Sequence, residues 1–345
     1  MYKRQFHGCG WKLVPEALRG LGVKNLYCVE QQMVLDGTFP TVASPNPENP
    51  EGFYLAIELA DKVGADFILG TDPDSDRVGI MVRGADGKFI AVTGNQTGVL
   101  LLDYLIGAMK RSGKMPANPV ALKTIVTTEM ARKVAESNGV KCFDTFTGFK
   151  FLAEKIKQFE QDGSHEYIFA FEESYGYLCG DYARDKDAVT ASMLIAEMAA
   201  YYRTQGKTLY DAMLGLYEKY GYYKDTVKSI GLKGIEGLAK IQEIMENFRK
   251  NPPKALGGYE VTSVRDYKKN TITEVATGEV KETGLPESNV LYYDMNDGAW
   301  LCIRPSGTEP KIKFYYGVKG TSLDDAEAKS KALGAAVMAM VDKMM

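Results

Sequence analysis

Three aspartates at alternate positions directly follow a short apolar run. The run Phe67–Leu69 has the composition of a buried strand, and the segment Gly70–Arg77 (GTDPDSDR) comes next. In an extended chain, residues i, i+2 and i+4 face the same side, so the carboxylates of Asp72, Asp74 and Asp76 should converge. Because three close carboxylates repel one another, the pattern favours a hard divalent cation such as Mg2+. We predict a metal site here, and a solvated acidic turn is the alternative.

An EF-hand loop starts with the same alternation of aspartates, but this segment does not fit one. The EF-hand needs glycine at its sixth position and glutamate at its twelfth. Those positions hold Arg77 and Arg83 in this chain. A strand rather than a helix is also predicted before the loop, so the EF-hand is excluded.

The composition limits the class of protein. The chain has 345 residues, 45% of them hydrophobic, and its net charge of −3 gives no reason to expect nucleic acid or an anionic membrane as a partner. Its five cysteines are an odd number with no C-x-x-C pair, which favours reduced thiols. The first residues contain no apolar segment typical of a signal peptide. We therefore expect a cytoplasmic protein that divides into two or three domains.

Strand-like and helical segments alternate over the first two thirds of the chain, a pattern that predicts parallel α/β units. The runs Val78–Val82 and Phe89–Val92 predict a hairpin, and Ser112–Pro119 reads as a linker. The pattern then restarts, and from about Tyr222 it becomes rich in strands. The predicted fold class is α/β, with two consecutive α/β domains of mainly parallel sheets (1–112 and 113–225) and a smaller C-terminal α+β domain (226–345).

A second acidic loop follows the predicted strand Tyr167–Phe171. Glu172, Glu173 and Ser174 supply the carboxylates and hydroxyl that commonly hydrogen-bond sugar hydroxyls, although an ordinary acidic turn has the same composition. Ligands in open α/β sheets bind just beyond the carboxyl ends of strands. The two acidic loops are therefore where chemistry is expected.

A third motif, Arg304–Lys311 (RPSGTEPK), joins two strand-like runs near the C-terminus. It combines a guanidinium, two hydroxyls, a lysine and a glycine that allows close approach of backbone N–H groups. Such a set of donors suits a phosphate, and a hairpin turn with flanking charges is the alternative. The motif is not a Walker A loop, and the Gly-Lys-Thr at Gly206–Thr208 lacks the first glycine of one.

Taken together and in this order, the three loops resemble those of the α-D-phosphohexomutase superfamily, the phosphoglucomutases and phosphomannomutases. The resemblance extends over essentially the whole chain and includes His7-Gly8, Thr147–Lys150 and Arg184–Asp187. The resemblance implies that the chain has the fold of domains two to four of such a mutase.

The resemblance also implies site residues. The metal ligands would be Asp72, Asp74 and Asp76, supported by Arg77 and Lys186. The sugar would be held by Glu172 and Ser174 and bordered by Thr147, Gly148 and Lys186. The phosphate would bind at Arg304, Ser306, Gly307 and Thr308.

One departure from the family pattern affects the expected activity. The family's first domain carries a T-A-S-H-N-P loop whose serine is phosphorylated, and this sequence contains no such loop. Ser44, in Ala43–Pro47, lies only a short distance before Asp72 and resembles a second-domain loop, so we interpret it as structural. We expect a chain that lacks the phosphoserine domain and is inactive by itself.

The implied activity is that of a phosphoglucomutase, which interconverts glucose 1-phosphate and glucose 6-phosphate through a bisphosphorylated sugar. One Mg2+ per chain and glucose 1,6-bisphosphate as activator would be its cofactors, and a phosphorylated hexose or pentose its partner. A monomer or weak dimer is expected. A phosphomannomutase, a phosphopentomutase and a catalytically inert sugar-phosphate-binding fragment remain as alternatives.

Overall fold

Two compact units make up the chain, Met1–Tyr220 and Gly221–Met345. The structure is a computed structural model, and it describes residues 2–232, 234–307 and 310–345. Each unit is described below by itself.

The first half of unit 1 is built around a five-stranded sheet. Its elements in chain order are β1 (Tyr2–Gln5), α1 (Gly10–Gly20), β2 (Tyr27–Cys28), α2 (Tyr54–Val63), β3 (Phe67–Thr71), β4 (Val78–Arg83) and β5 (Phe89–Val92). The strand order is β2-β1-β3-β4-β5. The pairs of β1 with β2 and of β1 with β3 are parallel, whereas the pairs of β3 with β4 and of β4 with β5 are antiparallel.

The second half of unit 1 repeats this plan with a four-stranded sheet. Its elements are α3 (Gly94–Ser112), β6 (Pro119–Thr124), α4 (Glu129–Ser137), β7 (Lys141–Thr145), α5 (Phe149–Asp162), β8 (Glu166–Glu172), β9 (Gly176–Leu178), α6 (Ala188–Thr204) and α7 (Leu209–Tyr220). The strand order is β7-β6-β8-β9, with β6 parallel to β7 and β8 and with β9 antiparallel.

Local sequence chemistry explains where the helices of this unit begin. Helix α3 starts with a capping box, in which Thr93 and Gln96 each bond the other's backbone N–H. The Asp187 side chain caps α6 by accepting from the N–H groups of Val189 and Thr190. Apolar faces then pack on the sheets, as where Phe6 and Phe53 meet edge to face with ring centroids 5.5 Å apart.

Unit 2 is an α+β domain with one long sheet. Its elements are β10 (Tyr222–Gly231), α8 (Gly234–Lys250), β11 (Ala255–Leu256), β12 (Tyr259–Asp266), β13 (Thr271–Glu274), β14 (Val280–Glu282), β15 (Leu291–Met295), β16 (Trp300–Pro305), β17 (Lys311–Gly320) and α9 (Leu323–Asp342). The strand order β10-β17-β16-β15-β12-β13-β14 is antiparallel throughout. Residues of α8, α9 and the sheet form its core.

The predicted fold class is confirmed, and so is the hairpin, which is formed by β4 and β5. The sheets of unit 1 are more mixed than expected, because each adds antiparallel strands to its parallel core. Strand β1 was not predicted, although it lies inside the first sheet. Among the described residues, no helix combines the length and apolar character needed to cross a bilayer.

Candidate functional site

The three aspartates after β3 form one cluster. An oxygen of each of Asp72, Asp74 and Asp76 lies within 4.8 Å of the other two. Asp72 is buried, Asp76 is half-buried and Asp74 is exposed. The predicted convergence of these side chains is therefore present, and their exposure to solvent increases from Asp72 through Asp76 to Asp74.

Hydrogen bonds to one aspartate give the loop its shape. Asp72 Oδ1 accepts from the backbone N–H groups of Asp76 at 3.1 Å and Arg77 at 3.0 Å, and the Ser75 N–H donates to the Asp72 carbonyl at 3.2 Å. Ser75 adopts a left-handed conformation with φ of 60°, which non-glycine residues rarely do. The tight turn directs the three side chains toward one point.

The electrostatics of this cluster fit a divalent cation. Burial raises the pKa of Asp72 to about 8, and the nearby carboxyl groups of Asp76 and Asp74 add to the increase. Asp76 Oδ1 is buried and has no hydrogen-bond partner among the described residues. Mg2+ prefers carboxylate oxygens as ligands. Its charge would offset the repulsion between the carboxylates and would give Asp76 Oδ1 a partner, so the residues present fit this ion.

Two cationic side chains flank the aspartates. Lys186 Nζ lies 3.0 Å from Asp76 Oδ2 and 2.9 Å from Asp185 Oδ1. Arg77 Nε lies 3.7 Å from Asp76 Oδ1, and its Nη1 is 3.8 Å from Glu48 Oε1. The contact with Asp76 places Lys186, from the segment Arg184–Asp187, beside the metal loop.

The acidic loop after β8 lies against the same group. Arg77 and Gly176 form an antiparallel bridge, and the Val78 N–H donates to the Tyr175 carbonyl at 3.2 Å. A side chain at Gly176 could not fit, because its Cβ would lie 2.2 Å from Cδ of Lys186. The glycine therefore gives the Lys186 stem its path to Asp76.

Glu172 is the buried acid of this loop, with 6% of its surface exposed. Burial raises the pKa of Glu172, whereas the Lys186 ammonium and the Ser174 hydroxyl oppose that increase. Glu172 thus faces the cationic side of the site, and the Ser174 hydroxyl bonds to it.

Thr147 and Gly148 lie immediately before α5. Gly148 occupies the N-cap position of that helix, and the next residue, Phe149, has its ring centroid 5.3 Å from Lys186 Nζ. This contact links their segment to the same lysine. The structure therefore brings Lys186 to Asp76 and to the start of α5, the helix that follows Thr147 and Gly148.

The predicted phosphate loop belongs to unit 2. Arg304 lies near the end of β16, opposite Lys313 of β17, and the Ser306 N–H donates to the Lys311 carbonyl at 2.7 Å. Gly307 is exposed, with open space where a side chain would stand. Thr308 lies outside the described residues. The part of the loop that is described is a strand-to-strand turn, as the sequence predicted.

Two acids around this site have partners that the sequence did not indicate. Glu48 pairs with Arg77, and no pattern in its neighbourhood indicates this contact. Glu173 was grouped with the sugar-binding acids, but its carboxyl bonds to Thr124 and Thr127 instead. The alternation of side chains along an extended segment could have indicated that Glu173 and Glu172 point to opposite sides.

Comparison with protein families gives three matches that follow one another along the chain. Residues 3–87 match the model described as phosphoglucomutase/phosphomannomutase, alpha/beta/alpha domain II, and residues 93–220 match alpha/beta/alpha domain III. Residues 245–343 match the C-terminal domain of the same family. The domain III model includes α3, whereas the predicted boundary at residue 112 assigned that helix to the preceding domain.

A curated phosphoglucomutase from Staphylococcus aureus (strain MRSA252) is 39% identical over 327 residues, which are 95% of this chain and 58% of the relative. The chain therefore spans a little over half the length of that protein.

Solved structures share the fold. A putative phosphomannomutase from Thermus thermophilus matches 99% of this chain and 60% of its own, with a TM-score of 0.64 and 19% identity. An Aspergillus fumigatus N-acetylphosphoglucosamine mutase, in complex with GlcNAc-6P and magnesium, matches 97% of this chain and 65% of its own, with a TM-score of 0.52 and 13% identity.

Proposed function

The chain belongs to the phosphoglucomutase/phosphomannomutase family, and on that premise we propose that it provides the metal-, sugar- and phosphate-binding parts of a phosphoglucomutase. The reaction would interconvert glucose 1-phosphate and glucose 6-phosphate through a bisphosphorylated sugar. Glucose 1,6-bisphosphate would serve as intermediate and activator.

The observation that carries this proposal is the meeting of three segments at Lys186. Its ammonium group lies 3.0 Å from Asp76 of the aspartate loop, above the ring of Phe149, and within electrostatic reach of Glu172. A metal-binding group, a cation and a sugar-binding acid therefore share one small volume. A phosphorylated sugar needs all three kinds of contact at once.

Each side chain has a part in binding or orienting the substrate. A Mg2+ held by the three aspartates would neutralise charge that develops on the transferring phosphoryl group. Lys186 donates to a substrate oxygen beside this site, and Arg77 keeps the neighbouring carboxylates from repelling the phosphate. Glu172 accepts hydrogen bonds from hydroxyls of the sugar ring, and Ser174 donates one to them. Thr147 and Gly148 border the sugar.

We assign the phosphate-binding role to the loop Arg304–Lys311 of unit 2. Arg304 offers a bidentate guanidinium, and Ser306, Gly307 and Thr308 offer hydroxyl and backbone donors. This assignment rests on the composition of the loop and on its turn between β16 and β17.

The proposal gives this chain no covalent phosphate carrier. The sequence contains no T-A-S-H-N-P loop, and it has only two histidines that could activate another serine. One of them, His7, is buried, and its ring nitrogens contact the Val34 carbonyl at 3.1 Å and the Thr41 hydroxyl at 2.9 Å. We therefore expect the purified chain to bind its ligands without turnover, until a polypeptide that carries the phosphoserine loop is added.

A coupled assay for glucose 6-phosphate tests this expectation. The purified chain is supplied with glucose 1-phosphate, Mg2+ and catalytic glucose 1,6-bisphosphate. Turnover should be absent without an added phosphoserine domain and should appear with it. Turnover by the chain alone that Asp74→Asn abolishes would show that the nucleophile lies within these residues. Mannose 1-phosphate and ribose 1-phosphate, each added as a competitor of glucose 1-phosphate in the same assay, report the sugar preference.

Calorimetry separates the two binding roles. Arg304→Ala should weaken both glucose 1-phosphate and inorganic phosphate, because a bidentate partner of the phosphate is lost. Ser174→Ala should weaken only the sugar phosphate. Equal effects of both changes on inorganic phosphate would contradict this division of roles.

A further inference from the structure

A cluster of buried polar side chains contacts Glu173, the middle residue of the loop Glu172–Ser174, which we call the sugar loop. Thr124 ends β6, and Thr127 lies in the turn before α4; both are fully buried. Their hydroxyl oxygens are 2.8 Å apart, and each lies 3.3 Å from Glu173 Oε2. We call these three residues the Thr–Thr–Glu clamp.

The clamp acts on the middle residue of the sugar loop. Glu172 and Ser174, on either side of Glu173, belong to the proposed sugar site, whereas the Glu173 carboxyl is turned to the opposite side. The backbone fits closely there too: a Cβ on Gly94 would lie 2.1 Å from the Glu173 carbonyl oxygen. Any shift of Glu173 must therefore move both of its neighbours.

A buried cation fixes the turn that carries the two threonines. Lys123 is 0% exposed, and its Nζ donates to the Thr127 carbonyl at 3.1 Å and to Glu129 Oε1 at 2.7 Å. Nζ also lies 3.0 Å from Asp144 Oδ1. Burial alone would lower the pKa of Lys123, but the carboxylates of Asp144 and Glu129 outweigh it and keep the pKa above its ordinary value. The turn is thus bonded to the Lys123 ammonium, and separating that charge from Glu129 and Asp144 would carry a large free-energy penalty.

We propose that Glu173 is a positioning residue for sugar recognition, which sets the placement of Glu172 and Ser174 through its bonds to Thr124 and Thr127. Lys123 supports this role by stabilising the turn that carries Thr127. This inference rests on the proposed function, because it deepens the sugar-binding role given there to Glu172 and Ser174. It predicts that the clamp governs affinity for the sugar and leaves affinity for free phosphate and Mg2+ unchanged.

The choice of variants follows from the hydrogen bonds. Glu173→Ala removes the acceptor for both hydroxyls, whereas Glu173→Gln keeps the shape and one acceptor oxygen. Thr127→Val removes one hydroxyl at nearly constant volume and is the milder change. Tyr104→Phe serves as the matched control, since it breaks a different bond between side chains of the same unit, that of the Tyr104 hydroxyl to Glu197 at 2.6 Å.

Titration calorimetry on the full chain then gives the dissociation constants for glucose 1-phosphate, inorganic phosphate and Mg2+, with thermal unfolding as a check on the fold. We expect Glu173→Ala to weaken glucose 1-phosphate about tenfold or more, the equivalent of about 1.4 kcal/mol. Thr127→Val should act in the same direction, and Glu173→Gln should restore affinity to within about threefold of the original. Phosphate and Mg2+ binding should stay unchanged, and Tyr104→Phe should affect only the unfolding temperature.

Each result bears on a different statement. A folded Thr127→Val or Glu173→Ala protein that binds glucose 1-phosphate like the original overturns the positioning role. Equal losses for sugar phosphate and inorganic phosphate also overturn it, because they indicate general damage. If the unmodified chain binds no glucose 1-phosphate, the proposed function itself fails, and the positioning role fails with it.

Discussion

Ser75 and Tyr175 have matching roles in two neighbouring loops, because the carbonyl of each accepts a backbone hydrogen bond from the other family domain. Both residues have left-handed conformations, with φ of 60° and 67°. The Ser75 carbonyl accepts from the N–H of Ala188 at 3.0 Å, and the Tyr175 carbonyl accepts from the N–H of Val78 at 3.2 Å. Ser75 lies in the range of family domain II and Tyr175 in that of domain III. Each site loop thus uses an unfavourable backbone conformation to bond the other domain.

Replacing Ser75 tests whether its conformation stores strain. A left-handed conformation costs a non-glycine residue about 1–2 kcal/mol, whereas glycine adopts it freely. The Ser75 hydroxyl is buried and has no hydrogen-bond partner among the described residues, so Ser75→Ala is the matched control. We expect Ser75→Gly to have a higher free energy of unfolding than Ser75→Ala, by about 0.5–1 kcal/mol, in urea titrations. Equal stability of the two variants would argue against strain at this position.

Asp74 is the exposed member of the aspartate cluster, and its replacement should affect the metal more than the fold. Asp74→Asn removes one negative charge from the predicted ligand set. Calorimetry should show Mg2+ affinity reduced by about tenfold or more with little change in unfolding temperature. Glu58→Gln, which removes a charge from the exposed face of α2, is the control and should bind Mg2+ normally. An unchanged affinity after Asp74→Asn would place the metal elsewhere.

Lys186 should matter for the sugar phosphate. Lys186→Met keeps the apolar stem near the Phe149 ring and removes the ammonium beside Asp76. Loss of a charge-assisted hydrogen bond of about 1.5–3 kcal/mol should weaken glucose 1-phosphate by roughly tenfold or more in calorimetry. Lys133→Met, a change at an exposed position of α4, should leave the affinity intact. Similar affinities for both variants would remove Lys186 from the site.

Glu173 should make stability depend on pH. Burial, with the Glu172 charge as a second cause, raises the pKa of Glu173 from 4.5 to about 7, while Glu48 adds to the increase and bonding from Thr124 opposes it. Between these values the folded protein keeps a proton that the unfolded chain has lost, so the stability contributed by this group falls as pH rises through the window. Glu173→Gln cannot ionise, and its unfolding free energy should fall less between about pH 5 and about pH 8.

The exposed change Glu154→Gln, on α5, is the control for that measurement and should retain the original slope. A slope in Glu173→Gln as steep as in the unmodified chain would mean that another group titrates there.

The metal loop and the hairpin could be predicted from sequence because their determinants are local. Alternation within Asp72–Asp76 specifies which side chains converge, and the turn at Ala85–Gly87 joins two apolar runs. The site contacts of Lys186 with Asp76 and of Arg77 with Gly176 join residues about a hundred positions apart. The family resemblance assigned these segments to one site but not these contacts, since no local pattern specifies a partner at that distance.

Other features were beyond prediction for a physical reason. Lys123 lies in the apolar run Val120–Val126. From sequence alone a lysine is expected to be exposed, because burial of its charge requires partners that the sequence does not identify. Those partners, Glu129 and Asp144, come from α4 and β7, and only the parallel pairing of β6 with β7 brings them close. The clamp on Glu173 depends on the same pairing and on the neighbouring pair of β6 with β8.

The position of β1 inside the first sheet affects how unit 1 folds and how it would tolerate the loss of this strand. Tyr2–Gln5 are joined on one side to β2 and on the other to β3, a strand more than sixty positions later. During synthesis these residues leave the ribosome well before β3, yet the sheet can close only once β3 has emerged. A chain shortened by those few residues would leave the facing sides of β2 and β3 without their hydrogen bonds. Two bare strand edges invite pairing with other molecules, so aggregation is the expected result of losing β1.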